Sequence, residues 1–299
     1  MTGPLLLRSM MFVPGHNRRL LESAARSDAD ALILDLEDSV RPNDQKPVAR
    51  ETIRTALGEG LLAGHTVFVR VNDRESGHLL RDVLALAVPG ITGFVYPKSR
   101  SGQDVYFFDK LLETVEAERR IPCGTFAVVP LIETTAAVLH AEDICRASPR
   151  VAAIAFGCED FVADLGGLHD EAGHSLYAAR SLIALAAKAA GVQAIDTVHV
   201  HVHDLAGLER NLQLARELGF DGMLVLHPKE IALVHRYLSP SPEQVESARE
   251  MVRLFEEAER QNRGVAILDG KFIGPPMLRA ARHTLDRHDL ISRTARRPA

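Results

Sequence analysis

The sequence predicts a closed (β/α)8 barrel, the TIM-barrel architecture, followed by a smaller C-terminal extension of helices and a flap. Three observations predict it: eight short apolar runs, amphipathic stretches between them, and polar residues that end most of the runs. Short apolar runs rich in β-branched residues and bounded by turn residues are typical of buried parallel strands. Eight strands that alternate with helices favour a closed barrel over an open sheet.

The eight runs are spaced along most of the chain. They are Ser9–Gly15, Ala31–Asp38, Thr66–Asn72, Gly93–Ser99, Thr125–Glu133, Val151–Asp160, Val192–Val200 and Gly222–Pro228. Helices are predicted at Asn17–Arg26, Leu176–Ala190 and Leu205–Leu218, because their apolar residues recur every three or four positions. Ser175 and Asp204 precede the last two of these helices and are the residue types expected at helix N-termini.

The chain is predicted to contain two parts, a barrel at residues 1–238 and an extension at residues 239–299. The extension begins with Ser-Pro-Ser-Pro, which reads as a break and a helix start. Its predicted elements are a helix at Glu243–Arg260, a hairpin or flap at Val265–Ile273 and a helix from Pro275 to Arg287. A dinucleotide-binding fold is excluded, because the first turn, V-P-G-H-N, lacks the G-x-G-x-x-G pattern.

Composition excludes several classes of protein. The chain has 299 residues with 35 basic and 40 acidic side chains, a net charge of −5, and so lacks the basic character of nucleic-acid-binding domains. No apolar run approaches the roughly 20 residues that cross a bilayer. Three cysteines are too few for a disulfide framework and fit a reducing compartment, so we expect a cytoplasmic protein. From the charge and the short apolar runs we expect neither nucleic-acid nor membrane partners.

Polar residues end most of the runs, at the face of a (β/α)8 barrel where active sites lie. They are Asp35, Glu37, Asp38, Arg70, Asn72, Lys98, Glu133, Glu159, Asp160 and His227. Glu133 and Asp160 follow adjacent strands, and two carboxylates completed by water and substrate suit Mg²⁺. Arg70 would then bind a substrate carboxylate through its planar guanidinium. The alternative interpretation of these three residues is a salt-bridged structural cluster.

The motifs resemble those of the citrate lyase β-subunit-like family of the HpcH/HpaI aldolase superfamily, which includes malyl-CoA and citramalyl-CoA lyases. Seven stretches carry the resemblance, in order over nearly the whole chain. They are RSMMFVPGHNRR at 8–19, DALILDLEDSV at 30–40, KPVAR at 46–50, VFVRVN at 67–72, PLIETTAAVLHAEDI at 130–144, AFGCEDFVADLG at 155–166 and LGFDGMLVLHPKEI at 218–231. Each stretch alone is a weak signal, but the ordered set is specific.

The resemblance implies a TIM barrel that holds Mg²⁺ on Glu133 and Asp160 and acts on a coenzyme A thioester. The implied substrate-binding residues are Arg70, Glu133, Glu159, Asp160, Lys46, Leu226 and His227, and the implied coenzyme A loop contains Pro14, Gly15, Arg18 and Arg19. Glu37 and Asp38 resemble the acidic motif beside the metal, as indirect or water-mediated ligands. For Lys46 and His227, a surface charge or a hydrogen-bonding role is the alternative.

The implied reaction cleaves the carbon–carbon bond of a 2-hydroxy acid thioester of the malyl, citramalyl or citryl type, giving a keto acid and acetyl-CoA. A general acid must protonate the departing carbon, and relatives take it from the C-terminal flap of a neighbouring subunit. This chain has Gly274 where the family often has Asp, so Asp269 is the candidate acid, with a simple turn aspartate as the alternative.

The same resemblance implies a homotrimer or hexamer, and it leaves open whether the thioester is that of free coenzyme A or is carried by an acyl-carrier protein. Two other functions stay open: a thioesterase that hydrolyses the same thioester, and a non-catalytic member that binds coenzyme A esters.

Three other motifs suggest rival chemistry. His199, His201 and His203 alternate on the predicted seventh strand and could bind a metal, but a structural or pocket-lining role is favoured. Cys158 lacks an evident base partner and is interpreted as an inert thiol. Lys98 could form a Schiff base, but the acidic residues that end the strands favour the metal route.

Overall fold

Eight parallel strands close into a barrel in chain order, so that the first strand pairs with both the second and the eighth. The strands are β1 (Ser9–Pro14), β2 (Ala31–Asp35), β3 (Thr66–Arg70), β4 (Gly93–Tyr96), β5 (Ala127–Ile132), β6 (Ala153–Phe156), β7 (Gln193–Asp196) and β8 (Gly222–Val225). The predicted (β/α)8 fold is therefore confirmed. Each strand is shorter than its apolar run, because the last residues of the run lie in the following loop or helix.

The structure is a computed structural model that describes residues 4–168, 173–261, 266–268 and 271–295. The chain divides into two compact units, Met1–Leu238 and Ser239–Ala299. Within the described residues no helix has both the length and the apolar character needed to span a membrane.

Ten helices are described in the first unit. They are α1 (Arg18–Ala24), α2 (Lys46–Gly58), α3 (Leu79–Leu86), α4 (Gly102–Glu118), α5 (Thr135–Leu139), α6 (Ala141–Arg146), α7 (Cys158–Leu165), α8 (His174–Ala190), α9 (Leu205–Leu218) and α10 (Pro228–Tyr237). Asp204 caps α9 as predicted, since its side chain accepts the Gly207 N–H. The cap predicted at Ser175 is wrong: α8 begins at His174, and Gly173 takes the capping position in the left-handed conformation.

Alternating strand residues divide the apolar core into an inner and an outer layer. On β2, Ala31 and Ile33 pack inside the barrel, whereas Leu32 and Leu34 pack outward against the helices. This follows from the two-residue repeat of a strand, which points successive side chains to opposite faces. A fully buried leucine or isoleucine stabilises the fold by about 1.5–3 kcal/mol, so a continuous apolar strand is required where both faces are covered.

Buried ion pairs lie where the strands begin, at an end of the barrel that we call the N-terminal rim (Arg8, Asp30, Asp109, Glu116 and Arg150). Arg150 donates from both terminal nitrogens to Glu116, at 2.8 and 2.6 Å, and from Nε to Asp109 at 2.6 Å. Arg8 donates to both oxygens of Asp30, each at 2.8 Å. These acids and guanidinium groups satisfy one another in fixed, multiple hydrogen bonds.

The second unit contains α11 (Pro242–Arg260), the strands β9 (Ala266–Leu268) and β10 (Lys271–Ile273), and α12 (Pro275–Ala295). Ser241 caps α11, with its hydroxyl accepting the Gln244 N–H. The strands pair antiparallel, as expected for the predicted hairpin, and Ile273 packs with Ala258 in a small apolar core.

Candidate active site

The carboxyl ends of the barrel strands surround a cavity of about 450 Å³. Its lining residues are Phe12, Pro14, Asp35, Asp38, Ser39, Arg70, Leu131, Glu133, Phe156, Gly157, Cys158, Glu159, Asp160, Val198, Leu224 and Leu226. The lining combines acidic side chains with apolar ones, and we call the apolar set (Phe12, Leu131, Phe156, Val198, Leu224 and Leu226) the apolar wall. We use "the mouth" for the charged residues gathered here: Asp35, Glu37, Asp38, Arg70, Lys98, Glu133 and Asp160.

Glu133 follows β5 directly and is the most deeply buried acid of the predicted metal pair, with 2% of its surface exposed. Its Oε1 accepts the backbone N–H of Lys98 at 2.5 Å. Lys98 adopts a left-handed backbone (φ 54°), which is uncommon for a residue with a side chain and points to local strain at this contact. Burial, together with the charges of Glu37 and Asp160, raises the pKa of Glu133 to about 8.

Asp160 lies in the first turn of α7, so the prediction that Glu159 and Asp160 end the sixth strand is wrong. The strand stops at Phe156 and the helix begins at Cys158, after a turn through Gly157. Both acids nevertheless reach the cavity. The positive end of the helix dipole favours carboxylates in a first turn, and the charge of Asp160 contributes to the raised pKa of Glu133.

Gly157 allows α7 and β5 to approach each other. A Cβ at this position would lie 2.8 Å from Cβ of Glu133 and 2.9 Å from its Oε2, closer than side-chain atoms pack. Only glycine fits without displacing the glutamate. The sequence carried this signal in the G-C-E-D motif, but it gave no indication of which side chain required the glycine.

Arg70 is held by Asp35, a residue for which the sequence indicates no role of its own. Its Nε and Nη2 donate to the two oxygens of Asp35 at 2.6 and 2.8 Å, and its guanidinium lies 4.8 Å from the centre of the Phe12 ring. Burial works to raise the pKa of Asp35, but Arg70 outweighs it and holds that pKa below its usual value. Asp35 pairs with Arg70 in the register of β2 and β3, a relation that sequence alone does not reveal.

Glu37 and Asp38 lie in the loop after β2 and differ in exposure. Glu37 is buried, with Oε2 3.0 Å from Nη1 of Arg70 and Oε1 3.4 Å from Nζ of Lys98. Neither oxygen has a hydrogen bond of good geometry among the described residues. Burial raises the pKa of Glu37 to about 7, although Arg70 opposes it. Asp38 is 42% exposed and lies 3.5 Å from Arg70.

Lys46 lies beneath this loop and is not among the residues that line the cavity. Its ammonium donates to the carbonyl oxygens of Leu36 and Glu37 at 2.7 and 2.6 Å. Its contacts therefore match the hydrogen-bonding alternative, because the ammonium fixes the backbone that carries the two acids.

Leu226 and His227 follow β8 and have different environments. Leu226 lines the cavity. His227 caps α10: its Nδ1 accepts the Lys229 N–H, while Glu230 accepts the N–H of His227. This hydrogen-bonded arrangement corresponds to the alternative interpretation given for His227.

Of the predicted coenzyme A loop, Pro14, the last residue of β1, lines the cavity. Gly15 is required by close packing, since a Cβ there would lie 2.7 Å from the carbonyl oxygen of Asp35. Arg18 pairs with Glu22 and Glu59, whereas Arg19 is exposed.

The two flap positions belong to the second unit. Asp269 lies outside the described residues. Gly274 is described and buried, and a Cβ there would lie 3.2 Å from the Phe272 ring.

The histidine motif does not form the predicted alternating row. The seventh strand ends at Asp196, so the three histidines lie in the following loop, where His199 is buried and His201 and His203 are exposed. Among the residues that the structure describes, no group of three or more His, Cys, Asp or Glu side chains is arranged to hold a metal ion.

The other rival groups also lack the required chemistry. Burial raises the pKa of the Cys158 thiol to about 12, so it stays protonated. Burial works to lower the pKa of Lys98, but Glu37 and the other mouth acids outweigh it and raise the pKa, so the amine stays charged and is a poor nucleophile.

Glu133 and Asp160 are two oxygen donors of the kind that a hard divalent cation takes when water and substrate complete its shell, a smaller set than the three-ligand groups absent from the described residues. Four carboxylates affect Lys98 electrostatically, and Glu133 among them is buried with a raised pKa. Buried like charges are unfavourable unless a cation neutralises them. Glu133 and Asp160 offer oxygen ligands beside a cavity with space for water and substrate, as Mg²⁺ prefers.

Comparisons with known proteins agree with this architecture. The HpcH/HpaI aldolase/citrate lyase family model matches residues 8–228. The citrate lyase subunit beta of Haemophilus influenzae is 35% identical over 282 residues, covering 94% of this chain and 97% of that protein. A (3S)-malyl-CoA thioesterase of Cereibacter sphaeroides is 32% identical over 285 residues, covering 95% of each. The CitE protein of Mycobacterium tuberculosis, crystallised with magnesium, acetoacetate and coenzyme A, is 30% identical with a TM-score of 0.74, covering 94% of this chain and 98% of that one.

Proposed function

Because the chain belongs to the HpcH/HpaI aldolase/citrate lyase family, we propose that it is a Mg²⁺-dependent carbon–carbon lyase. Its substrate is a coenzyme A thioester of a 2-hydroxy acid of the malyl, citramalyl or citryl type. The products are acetyl-CoA and a keto acid. Enzymatic relatives cover nearly the full length of the chain, which supports an active site in the barrel.

The observation that carries the proposal is the environment of Glu133. This buried carboxyl has a pKa of about 8 because burial, Glu37 and Asp160 all disfavour its charged form. A bound cation reverses that preference, since it favours the ionised carboxylate. The related Mycobacterium tuberculosis protein was crystallised with magnesium and acetoacetate, which supports Mg²⁺ and a keto acid as ligands here.

Glu133 and Asp160 would hold the Mg²⁺, with Glu37 and Asp38 beside it. When bound, the ion supplies Lewis-acid polarisation of the substrate's hydroxyl and carboxylate oxygens. Glu159 and the backbone of the first turn of α7 would contact the substrate near these oxygens.

Arg70 would bind the substrate carboxylate. Asp35 occupies Nε and Nη2 and so fixes the plane of the guanidinium, while Nη1 faces Glu37 and Asp38 on the mouth side. A fixed plane lowers the entropy lost when a carboxylate binds. The positive charge is thus oriented before the substrate arrives.

The apolar wall of the cavity would exclude water from the carbon atom that departs. Phe12, Leu131, Phe156, Val198, Leu224 and Leu226 form this wall. Exclusion of bulk water protects a reactive carbanion-like carbon from unwanted protonation and strengthens local electrostatic interactions. Asp269 remains the proposed acid for that carbon, because position 274 is glycine.

Coenzyme A would approach along the loop after β1, past Pro14 and Gly15. Arg19 is the stronger candidate for a phosphate contact, since it is exposed, whereas Arg18 must first leave Glu22 and Glu59. Leu226 and His227 border the same face from β8.

Thioester hydrolysis is the second candidate, favoured by the similarity to a malyl-CoA thioesterase. In that reaction water attacks the thioester carbonyl, the carbon–sulfur bond breaks, and the products are the free hydroxy diacid and coenzyme A. A non-catalytic protein that binds coenzyme A esters is the third hypothesis, because this chain has Gly274 where the family often has the acidic residue. All three share the mouth, and they differ in products.

The experiment incubates the purified protein with malyl-CoA, citramalyl-CoA and citryl-CoA, each with Mg²⁺ and with EDTA. The lyase proposal expects acetyl-CoA and the keto acid in equal amounts, only with Mg²⁺. Coenzyme A with the free hydroxy acid, a diacid from malyl-CoA or citramalyl-CoA and citrate from citryl-CoA, and no keto acid would establish hydrolysis instead. Binding of all three thioesters without turnover would contradict both enzymatic proposals.

We also propose a homo-oligomer, a trimer or hexamer, because a flap acid acting on a neighbouring barrel requires an assembly. Light scattering coupled to size-exclusion chromatography tests it, and a monomer would overturn it. If free thioesters are inert, an acyl-carrier protein loaded with the same acyl group is the substrate to try next.

A further inference from the structure

The first turn of α7 has no capping side chain of its own. Its N-cap residue is Gly157, and no side chain caps the helix from that position. A larger residue is excluded there, because its Cβ would meet Glu133. The usual Ser, Thr, Asp or Asn cap is therefore unavailable to the helix that carries Asp160.

Thr197 provides an oxygen from a different element. Its Oγ1 accepts the N–H of Cys158, the first residue of α7, at 3.2 Å. Thr197 is buried, with 6% of its surface exposed, and it directly follows β7. It therefore satisfies one of the amides that a helix N-terminus leaves without a helical partner.

The position of Thr197 is itself fixed by a buried ion pair. Asp196, the last residue of β7, accepts hydrogen bonds from Nε and Nη2 of Arg180 on α8. Arg180 also donates to the carbonyl oxygen of Asn211 on α9. The hydroxyl of Thr197 thus projects from a strand end anchored to two helices, which makes it a firm support for α7.

We propose that Thr197 is a positioning residue for Asp160. By holding the amide of Cys158, it fixes the first turn of α7 against Glu133, so that Asp160, two residues further on, presents its carboxylate at the metal site. The proposal rests on the proposed function for its metal, but the hydrogen bond itself can be tested without one.

The first test measures amide hydrogen exchange at Cys158–Asp160 in EDTA, for wild type, Thr197→Val and Thr197→Ser. Valine keeps the shape and removes the oxygen, whereas serine keeps the oxygen. We expect exchange to rise about 3- to 10-fold in Thr197→Val, the loss expected for one hydrogen bond, and to stay near wild type in Thr197→Ser.

Thr92→Val is the matched control. Thr92 also uses its hydroxyl to accept a backbone N–H from another element, that of Val67 at 3.1 Å, at the opposite end of the barrel. This variant should accelerate exchange at Val67 and leave the first turn of α7 unchanged.

The second test titrates Mg²⁺ alone into the same proteins by calorimetry. We expect Thr197→Val to weaken Mg²⁺ binding about 10-fold, as loss of a residue that orients a ligand does, while Thr197→Ser and Thr92→Val bind normally. Unchanged exchange in Thr197→Val, equal losses in Thr197→Val and Thr197→Ser, or faster exchange with unchanged Mg²⁺ affinity would each overturn the proposal.

Failure of the proposed function has a different signature. If Glu133→Gln and Asp160→Asn both bind Mg²⁺ like wild type, the proposed metal site is wrong, whatever the exchange at α7 shows. If those variants lose Mg²⁺ and Thr197→Val keeps it, the metal site stands and the positioning role falls.

Discussion

The two ends of the barrel differ in how many of their acidic side chains have a cationic partner. At the N-terminal rim, Arg150 meets both Asp109 and Glu116, and every contact is a short hydrogen bond. At the mouth, five carboxylates share two cations, Arg70 and Lys98, and Glu37 has no hydrogen bond of good geometry to a described residue. At the rim every acid has a hydrogen-bonded guanidinium partner, whereas the mouth has five acids for two cations and a larger excess of negative charge.

The pKa values follow this difference. Burial works to raise the pKa of Asp109, but hydrogen bonds from Arg150, Ser148 and Lys110 outweigh it and leave the pKa below its usual value. Burial raises the pKa of Glu133 to about 8, and its acidic neighbours add to the shift. The comparison teaches that a buried carboxyl with hydrogen-bonded cationic partners keeps a low pKa, whereas a buried carboxyl among other acids acquires a raised one.

Glu133→Gln should have the largest effect on the proposed Mg²⁺ binding at the mouth. The amide cannot supply the anionic ligand, so we expect no measurable Mg²⁺ binding by calorimetry and a loss of about 1000-fold or more in kcat/KM, the scale of metal-dependent transition-state stabilisation. Folding should persist, because the amide has the shape of the protonated carboxyl that the folded protein keeps below pH 8, and its oxygen can still accept the Lys98 N–H. Normal Mg²⁺ affinity in this variant would show that Glu133 is not a ligand.

Glu116→Gln makes the matching change at the N-terminal rim. It leaves part of the buried Arg150 charge without its anionic partner, and we expect the free energy of unfolding in urea to fall by about 3 kcal/mol. Mg²⁺ affinity should stay within twofold of wild type. A loss of Mg²⁺ binding here would mean that the two ends are coupled.

The pH dependence of the free energy of unfolding tests whether the pKa of Glu133 is raised. The folded pKa of Glu133, about 8, lies above its ordinary value of 4.5, so the folded protein keeps a proton that the unfolded chain releases. Its contribution to the free energy of unfolding is fully present below pH 4.5 and is lost as the pH rises through 8, a change of at most a few kcal/mol.

Urea unfolding of wild type and Glu133→Gln in EDTA at pH 5 to 8 measures this change as the difference between the two proteins. Added Mg²⁺ should stabilise wild type more at pH 8 than at pH 6, because the ion binds the ionised form. Parallel curves for the two proteins would contradict the raised pKa.

Asp38→Asn should have the smallest effect. Asp38 is 42% exposed and lies 3.5 Å from Arg70, so its ion pair is screened and stabilises the fold by less than about 1 kcal/mol. We expect kcat/KM to change less than about fivefold. Glu37→Gln, which alters a buried neighbour of Arg70, should have the larger effect in the same assay, and the reverse order would show that Asp38 acts directly.

The sequence was sufficient to predict the barrel, because an uninterrupted apolar strand records burial on both faces, as β2 does. It was also sufficient to predict that Glu133 lies at the carboxyl end of the barrel, because this residue directly follows β5. These predictions depend only on local patterns.

Features that depend on contacts between elements could not be predicted from the sequence. The partnership of Arg70 with Asp35 needs the register of two strands, and the hydrogen bonds of Lys46 depend on how a loop folds over α2. The apolar run around Cys158 continued across a strand-to-helix boundary, so the helical position of Asp160 was missed. The histidine motif failed for the related reason that its strand ended at Asp196.

Gly157 limits which substitutions the lining of this cavity can accept. Any side chain there must push Glu133 aside, so a library of variants randomised at that position should return glycine or inactive proteins. Changes of acyl-group selectivity would have to arise instead at Val198, Leu224 and Leu226, on the apolar wall. New substrate preferences in this scaffold would therefore come from the apolar lining residues, while the packing of α7 against Glu133 stays unchanged.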